Sequence, residues 1–129
     1  MNGSMRCFLV ITLGCLSAMA QAENPYNGDW TAKWVGTQGL VRGQNKAAVV
    51  ILDTGGSFQN SKSSSKNPCV GRKAPIVVKT ATADELVFVI QFSTALRGCQ
   101  DSEVRLKRQD DGTLKGVRDT DKEITLSRD

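Results

Sequence analysis

The sequence predicts an all-β domain, folded as an antiparallel up-and-down barrel of about eight short strands with one disulfide bond. Alternating apolar and polar residues and short β-branched runs recur between turn signals, while no segment sustains an apolar period of 3.6 residues. The chain is only 129 residues long. Consecutive short strands in so short a chain favour a meander that closes into a barrel over a sandwich with long crossovers.

The N-terminal segment is typical of a secretory signal peptide. Met1–Arg6 carries the one early charge, Cys7–Leu16 is mostly apolar, and small residues before Ala20 and Ala22 offer two cleavage sites. The apolar run is about half as long as a membrane-spanning helix requires. We therefore expect residues 1–22 to be removed, leaving a single domain over 23–129 that is periplasmic or secreted.

Cysteine usage agrees with export. Cleavage would remove Cys7 and Cys15 and leave Cys69 with Cys99, an even pair in a compartment where thiols oxidise. We expect one disulfide bond between these two. Cys15 also suggests a lipoprotein, but Thr12 stands where a leucine is expected in the lipidation motif.

The strand pattern sorts the connections into two groups. Strands are predicted over 29–36, 46–53, 57–59, 75–80, 85–92, 103–108, 113–118 and 122–127. In a meander, successive connections alternate between the two ends of the barrel. The long connections 36–45, 60–74 and 93–102 therefore share one end, the long-loop end, and the tight turns occupy the opposite, short-turn end.

Charge is distributed unevenly between these ends. The net charge is only +4, but most bases fall in the long connections and many acids in the tight turns. The long-loop end is thus expected to attract an anionic partner.

The best candidate site is a set of bases that flank the two cysteines: Lys66, Arg72, Lys73 and Arg97. We call these four residues the basic rim. Their partner would be a phosphate or carboxylate group of a small molecule, or an acidic protein or envelope surface. A solvated rim that keeps the protein soluble is the alternative. Trp34, which points inward near this end, either fills the barrel or lines a shallow ligand pocket.

Gly28-Asp29-Trp30 at the start of the first strand resembles the Gly-x-Trp motif of lipocalins and other calycin-like barrels, such as avidin-like proteins and small bacterial protease inhibitors. The resemblance implies that Trp30 plugs the closed end of the barrel and that Arg128 packs over it. It leaves the ligand open, because the chain is shorter than a lipocalin and lacks the later lipocalin motifs and the biotin-binding pattern.

The composition disfavours catalysis. The chain has no histidine, so it offers no Ser-His or Cys-His dyad, and paired cysteines supply neither a thiolate nor a zinc ligand. We expect no catalytic residues, metal or cofactor. Nucleic-acid binding is not expected either, since most aromatic residues occupy inward positions.

The sequence therefore predicts an exported, non-enzymatic binding protein that recognises a small or anionic ligand, or a partner surface, with its basic long-loop end. The alternatives are an enzyme inhibitor that docks by its loops and a structural or interaction protein of the cell envelope. We expect a monomer or a weak homodimer without a transmembrane segment.

Overall fold

The fold is a closed barrel of eight antiparallel strands in sequence order, as predicted. A computed structural model describes residues 24–38, 41–61, 68–69 and 71–128, and for 36–38 and 41–44 it describes the backbone alone. The strands are β1 (Gly28–Gln38), β2 (Val41–Leu52), β3 (Gly55–Asn60), β4 (Ala74–Ala81), β5 (Glu85–Ile90), β6 (Ser102–Arg108), β7 (Leu114–Arg118) and β8 (Lys122–Arg128), and one short helix, α1 (Phe92–Ala95), follows β5.

The barrel closes where β1 pairs with β8. Trp30 lies opposite Arg128, and the ladder runs to Lys33 opposite Thr125. Closure leaves the wall of the barrel without the open sheet edges that promote association between chains.

Alternation along the strands fills the interior. On β5 the inward residues Leu86, Phe88 and Ile90 are fully buried, and they lie opposite Leu106, Val104 and Ser102 of β6. The buried side chains form one continuous core. Every second residue of these segments faces the interior of the barrel, and all but Ser102 are apolar. Burial of these side chains provides most of the driving force for folding.

The first connection corrects the sequence prediction. Residues 36–45 were expected to form a long loop, but β1 and β2 continue as a hairpin whose register runs to Gln38 opposite Val41. Glycines and amides in this segment suggest a loop by composition. Cross-strand pairing satisfies the backbone groups of a polar segment as well as those of an apolar strand. Composition alone could therefore not distinguish a loop from an extended hairpin.

The strand bounds differ elsewhere by a few residues. β5 ends at Ile90 instead of Phe92, because Phe92 begins α1. In β4 the register shifts between Val78 and Thr80, which adds one residue, Lys79, to that strand. Among the described residues, no helix is long and apolar enough to span a membrane.

Candidate functional site

A clasp of side chains closes the short-turn end. The guanidinium of Arg128 lies 4.1 Å from the centre of the Trp30 ring, within range of a cation–π contact. It donates to the carbonyl oxygens of Asn27 at 2.9 Å and Pro25 at 3.0 Å, and Trp30 Nε1 donates to Tyr26 O at 2.8 Å. Backbone carbonyls of the N-terminal segment thus engage both side chains, which ties that segment to the end of β8.

The same clasp fixes the residue that begins β1. Gly28 has φ of +125°, and a Cβ built there would lie 2.8 Å from Arg128 Nη1. The positive φ favours glycine at this position, and a side chain there would also displace the tip of Arg128.

Two surface grooves flank the clasp, with volumes of about 910 Å³ and about 300 Å³. Arg108 lines both, while the larger is also lined by Asp53 and Lys79. Charges of both signs face the larger groove. Asp53 already accepts a hydrogen bond from Asn27 Nδ2 at 3.0 Å, so its carboxylate takes part in holding the N-terminal segment.

At the long-loop end, the predicted disulfide bond between Cys69 and Cys99 is confirmed, with a Cα–Cα distance of 5.7 Å. It ties the loop after β3 to the loop after α1. Of the basic rim, Arg72, Lys73 and Arg97 are exposed and lie within four residues of a bridged cysteine. Lys66 lies outside the described residues.

Inside this end lie three aromatic rings and one arginine, which we call the mouth cluster: Trp34, Phe58, Phe92 and Arg118. Trp34 is half-buried and stacks on Phe58 with 6.1 Å between ring centres. Phe92, brought inward by α1, meets Phe58 edge to face at 6.1 Å. The sequence left two roles open for Trp34, and the structure places it over the core and beside a charged group.

The Arg118 guanidinium sits among these rings. Its central carbon lies 5.8 Å from the ring centres of Trp34 and Phe58 and 5.6 Å from that of Phe92. These distances fall near the outer limit of about 6 Å for a cation–π contact. The rings therefore shield the charge from water and attract it only weakly.

Arg118 is incompletely satisfied. Its Nε is buried and has no hydrogen-bond partner within the part of the chain that the structure describes. Burial lowers the pKa of this guanidinium, and the nearby Asp119 carboxylate acts in the opposite direction. Arginine remains charged in proteins, so burial here creates a cation with an unused donor.

Asp119 does not supply the missing acceptor. It is exposed, adopts a positive φ of 62° in the turn after β7, and accepts a hydrogen bond from Ser102 Oγ at 3.4 Å. Its backbone N–H donates to Glu103 O at 2.7 Å. Asp119 is thus held by β6, and the buried Nε of Arg118 keeps no acceptor among the described residues.

Sequence reasoning overlooked Arg118, although the pattern contains the signal. Leu114, Gly116 and Arg118 alternate along β7, and their partners on β8 are Leu126, Ile124 and Lys122. Since Leu114, Leu126 and Ile124 are buried, position 118 shares the inward face. A basic residue at the last inward position of a strand is the feature that identifies this site.

The chemistry available at the long-loop end is anion recognition. A guanidinium donates strong hydrogen bonds to carboxylate and phosphate oxygens, and aromatic rings provide surface for an apolar group. Among the described residues, no three His, Cys, Asp or Glu side chains are grouped to hold a metal ion.

Comparison of the chain with protein-family models, curated proteins and solved structures yields no significant match.

Proposed function

We propose that the protein is an exported, non-enzymatic binding protein that captures the anionic group of a ligand at the long-loop end of its barrel. One observation carries the proposal: the Nε of Arg118 is buried beside three aromatic rings without an acceptor. Leaving such a donor unpaired costs about 1–3 kcal/mol. The free protein bears this cost, and a carboxylate or phosphate oxygen that accepts the hydrogen bond would remove it, which favours binding.

The surroundings of Arg118 support a ligand with an apolar part. Trp34 is half-buried and stacks on Phe58 beside the guanidinium. An anion bound at Nε would bring its attached group against this ring. The exposed bases Arg72, Lys73 and Arg97 stand at the same end and would accelerate the approach of an anion.

Three features support the broader assignment. The Arg128 contact with Trp30 favours a calycin-like barrel, in which the opposite end is open to ligands. The disulfide bond favours an oxidising compartment, in keeping with the signal peptide expected over 1–22. The absence of histidine, together with the pairing of Cys69 and Cys99 in a disulfide, favours binding over catalysis.

The test is a binding experiment that observes Arg118 directly. The protein is titrated with 2-naphthoate, dodecanoate and inorganic phosphate, and the Nε–H resonance of Arg118 is followed by NMR while calorimetry gives the affinity. We expect at least one probe to shift that resonance. Arg118→Met should weaken the same probe about 10- to 100-fold, because a charge-assisted hydrogen bond contributes about 1.5–3 kcal/mol.

Arg105 provides the matched control. It is an exposed arginine on β6 that pairs with Glu103 at 3.2 Å, and Arg105→Met changes the net charge by the same amount as Arg118→Met. Equal weakening by the two variants would show that binding depends on overall charge and would overturn the proposal. Failure of all three probes to move the Arg118 resonance would also overturn it. The one exception is a protein whose native mass spectrum, recorded after native purification, already shows a bound anion that is released on acidification.

A further inference from the structure

Four lysines form a row across the outer wall of the barrel. Lys46 on β2 lies opposite Lys33 on β1, which lies opposite Thr125 on β8. Thr125 in turn lies opposite Lys115 on β7, and Lys115 lies opposite Lys107 on β6. We call Lys33, Lys46, Lys107 and Lys115 the lysine row. With about 4.8 Å between neighbouring strands, the row spans about 19 Å across the sheet.

The alternation along each strand directs the lysine row away from the core. The residues that precede or follow its members in the chain are fully buried: Ala32, Ala47, Leu106 and Leu114. Lys46, Lys107 and Lys115 are exposed, and Lys33 is half-buried. In the part of the chain that the structure describes, the one ion pair joins Arg105 to Glu103. No described carboxylate therefore pairs with the row.

The lysine row places like charges side by side twice. Lys33 and Lys46 are one directly opposed pair, and Lys107 and Lys115 are the other. Like charges at such positions destabilise a sheet. The row ends where Glu85 lies opposite Lys107. A partner that carries several anionic groups and contacts both pairs would relieve the repulsion, which favours its binding.

The curvature of the wall restricts the shape of that partner. The lysine row runs over β2, β1, β8, β7 and β6, which are consecutive strands of a closed barrel of eight and make up more than half of its circumference. A flat surface, such as an anionic membrane, touches only the strands nearest to it. A flexible linear chain can follow the curve and reach both lysine pairs.

The middle of the row supplies hydroxyl groups instead of aromatic rings. Thr125 lies between the two lysine pairs, and Ser127 lies two residues further along β8 on the same face. Both are half-buried, and hydroxyl groups donate and accept hydrogen bonds with the hydroxyl groups of a sugar chain. Every aromatic residue that the structure describes is buried or half-buried, so the row offers no exposed ring for the bases of a nucleic acid.

We infer that the lysine row binds an acidic polysaccharide. Its carboxylate groups would engage the two lysine pairs, and its hydroxyl groups would meet Thr125 and Ser127 between them. A band of uncompensated positive charge would also attract such a chain from a distance. This surface lies on the outside of the barrel wall and is independent of ligand binding at Arg118.

The test compares polymers that differ in one property at a time. Oligogalacturonate carries a carboxylate and hydroxyl groups on each unit, oligoglutamate carries the carboxylate without sugar hydroxyls, and dextran carries hydroxyls without charge. We expect calorimetry to show at least tenfold tighter binding of oligogalacturonate than of oligoglutamate or oligothymidylate with the same number of charges, and no binding of dextran. Bound oligogalacturonate should slow acetylation of the lysine row at least threefold, as read by mass spectrometry, and spare Lys73 and Lys122.

These two lysines also supply the matched variant. Lys73 immediately precedes β4, Lys122 begins β8, and both are exposed. Lys107→Gln with Lys115→Gln should weaken oligogalacturonate at least tenfold. It should also lower the slope of log affinity against log salt by about one to two, because each lysine that contacts a polyanion releases about one counterion. Lys73→Gln with Lys122→Gln should weaken it less than threefold, and Arg118→Met less than twofold.

Equal weakening by the two double variants would show that binding depends on overall charge, and it would overturn the inference. Equally tight binding of oligoglutamate or oligothymidylate would identify an acidic polypeptide or a nucleic acid as the partner. Binding to phosphatidylglycerol vesicles without binding to oligogalacturonate would identify a membrane. Each of these results refutes the polysaccharide, as does the absence of any binding, whatever the result of the titration at Arg118.

Discussion

Replacing Arg118 with methionine should stabilise the protein. Methionine is similar in length, flexible and apolar, so it can occupy the space between Trp34, Phe58 and Phe92 without a charge or an unpaired donor. Removal of the Nε, which is buried without a partner among the described residues, is the favourable part of the change. Loss of the contacts between the guanidinium and the rings, and of the attraction to the exposed Asp119 carboxylate, is the unfavourable part.

The two contributions can be compared. A buried donor without a partner costs about 1–3 kcal/mol. Three ring contacts at 5.6–5.8 Å lie near the distance limit and share one charge, so together they contribute about 1 kcal/mol. Arg118→Met should therefore raise the free energy of unfolding by about 1 kcal/mol, which corresponds to a Tm increase of about 4 °C in a domain of this size.

Urea unfolding followed by far-ultraviolet circular dichroism measures this change without relying on Trp34, whose fluorescence the substitution itself alters. The dependence of the free energy on urea should stay constant, because the buried area hardly changes. Arg118→Lys, which keeps a charge in the same place, should be less stable than Arg118→Met. A loss of 1 kcal/mol or more in Arg118→Met would mean that the arginine holds the barrel together, and it would refute the reasoning that assigns Arg118 to a ligand.

Three further outcomes follow from the described geometry. Replacing Cys69 and Cys99 with alanine should cost about 3–4 kcal/mol in urea unfolding, since the bond closes a loop with a sequence separation of 30 residues; a loss below 1 kcal/mol would contradict this. Gly116→Ala should cost about 3 kcal/mol or more, because its Cβ would lie 1.8 Å from a backbone oxygen of β6. Gly112→Ala, with nothing within 4 Å of the added Cβ, should cost only the strain of its positive φ of 89°, about 1 kcal/mol. The amide and hydroxyl of Ser93 in α1 donate to Asp101 and lower its pKa. The stability that Asp101 contributes is therefore present above the pKa of an unfolded aspartate and is lost as the pH falls below about 4. Carbon-13 titration of the carboxyl group measures the shift, and an unshifted pKa of Asp101 would exclude this contribution.

The features of the fold that could be predicted are those encoded within a single short segment of the sequence. Alternation along β5 predicted that Leu86, Phe88 and Ile90 face inward. The alternation of apolar and polar residues can be recognised within one strand without knowledge of its neighbours. The partnership of Cys69 with Cys99 followed from counting cysteines after the expected cleavage. The extent of the hairpin was missed because pairing between β1 and β2 depends on two segments at once, whereas composition reports on each alone.

The mouth cluster shows the same limit at the candidate site. Trp34 could be placed on the inward face from its own strand, but its neighbours Phe92 and Arg118 come from α1 and β7. The rim bases were chosen because they flank the cysteines in sequence. Arg118 has no such marker, and only its shared face with Leu114 in the closed barrel brings it beside the rings.

The clasp between Trp30 and Arg128 also sets the order in which the molecule can fold. Arg128 bonds to backbone carbonyls 101 and 103 residues earlier in the chain, and the seam between β1 and β8 joins equally distant segments. During synthesis neither can form until the last strand is available, so the hairpins earlier in the chain can assemble before the barrel closes. Such distant contacts are characteristic of domains that fold in milliseconds to seconds, and a nascent chain that lacks β8 would stay open and accessible to chaperones throughout its synthesis.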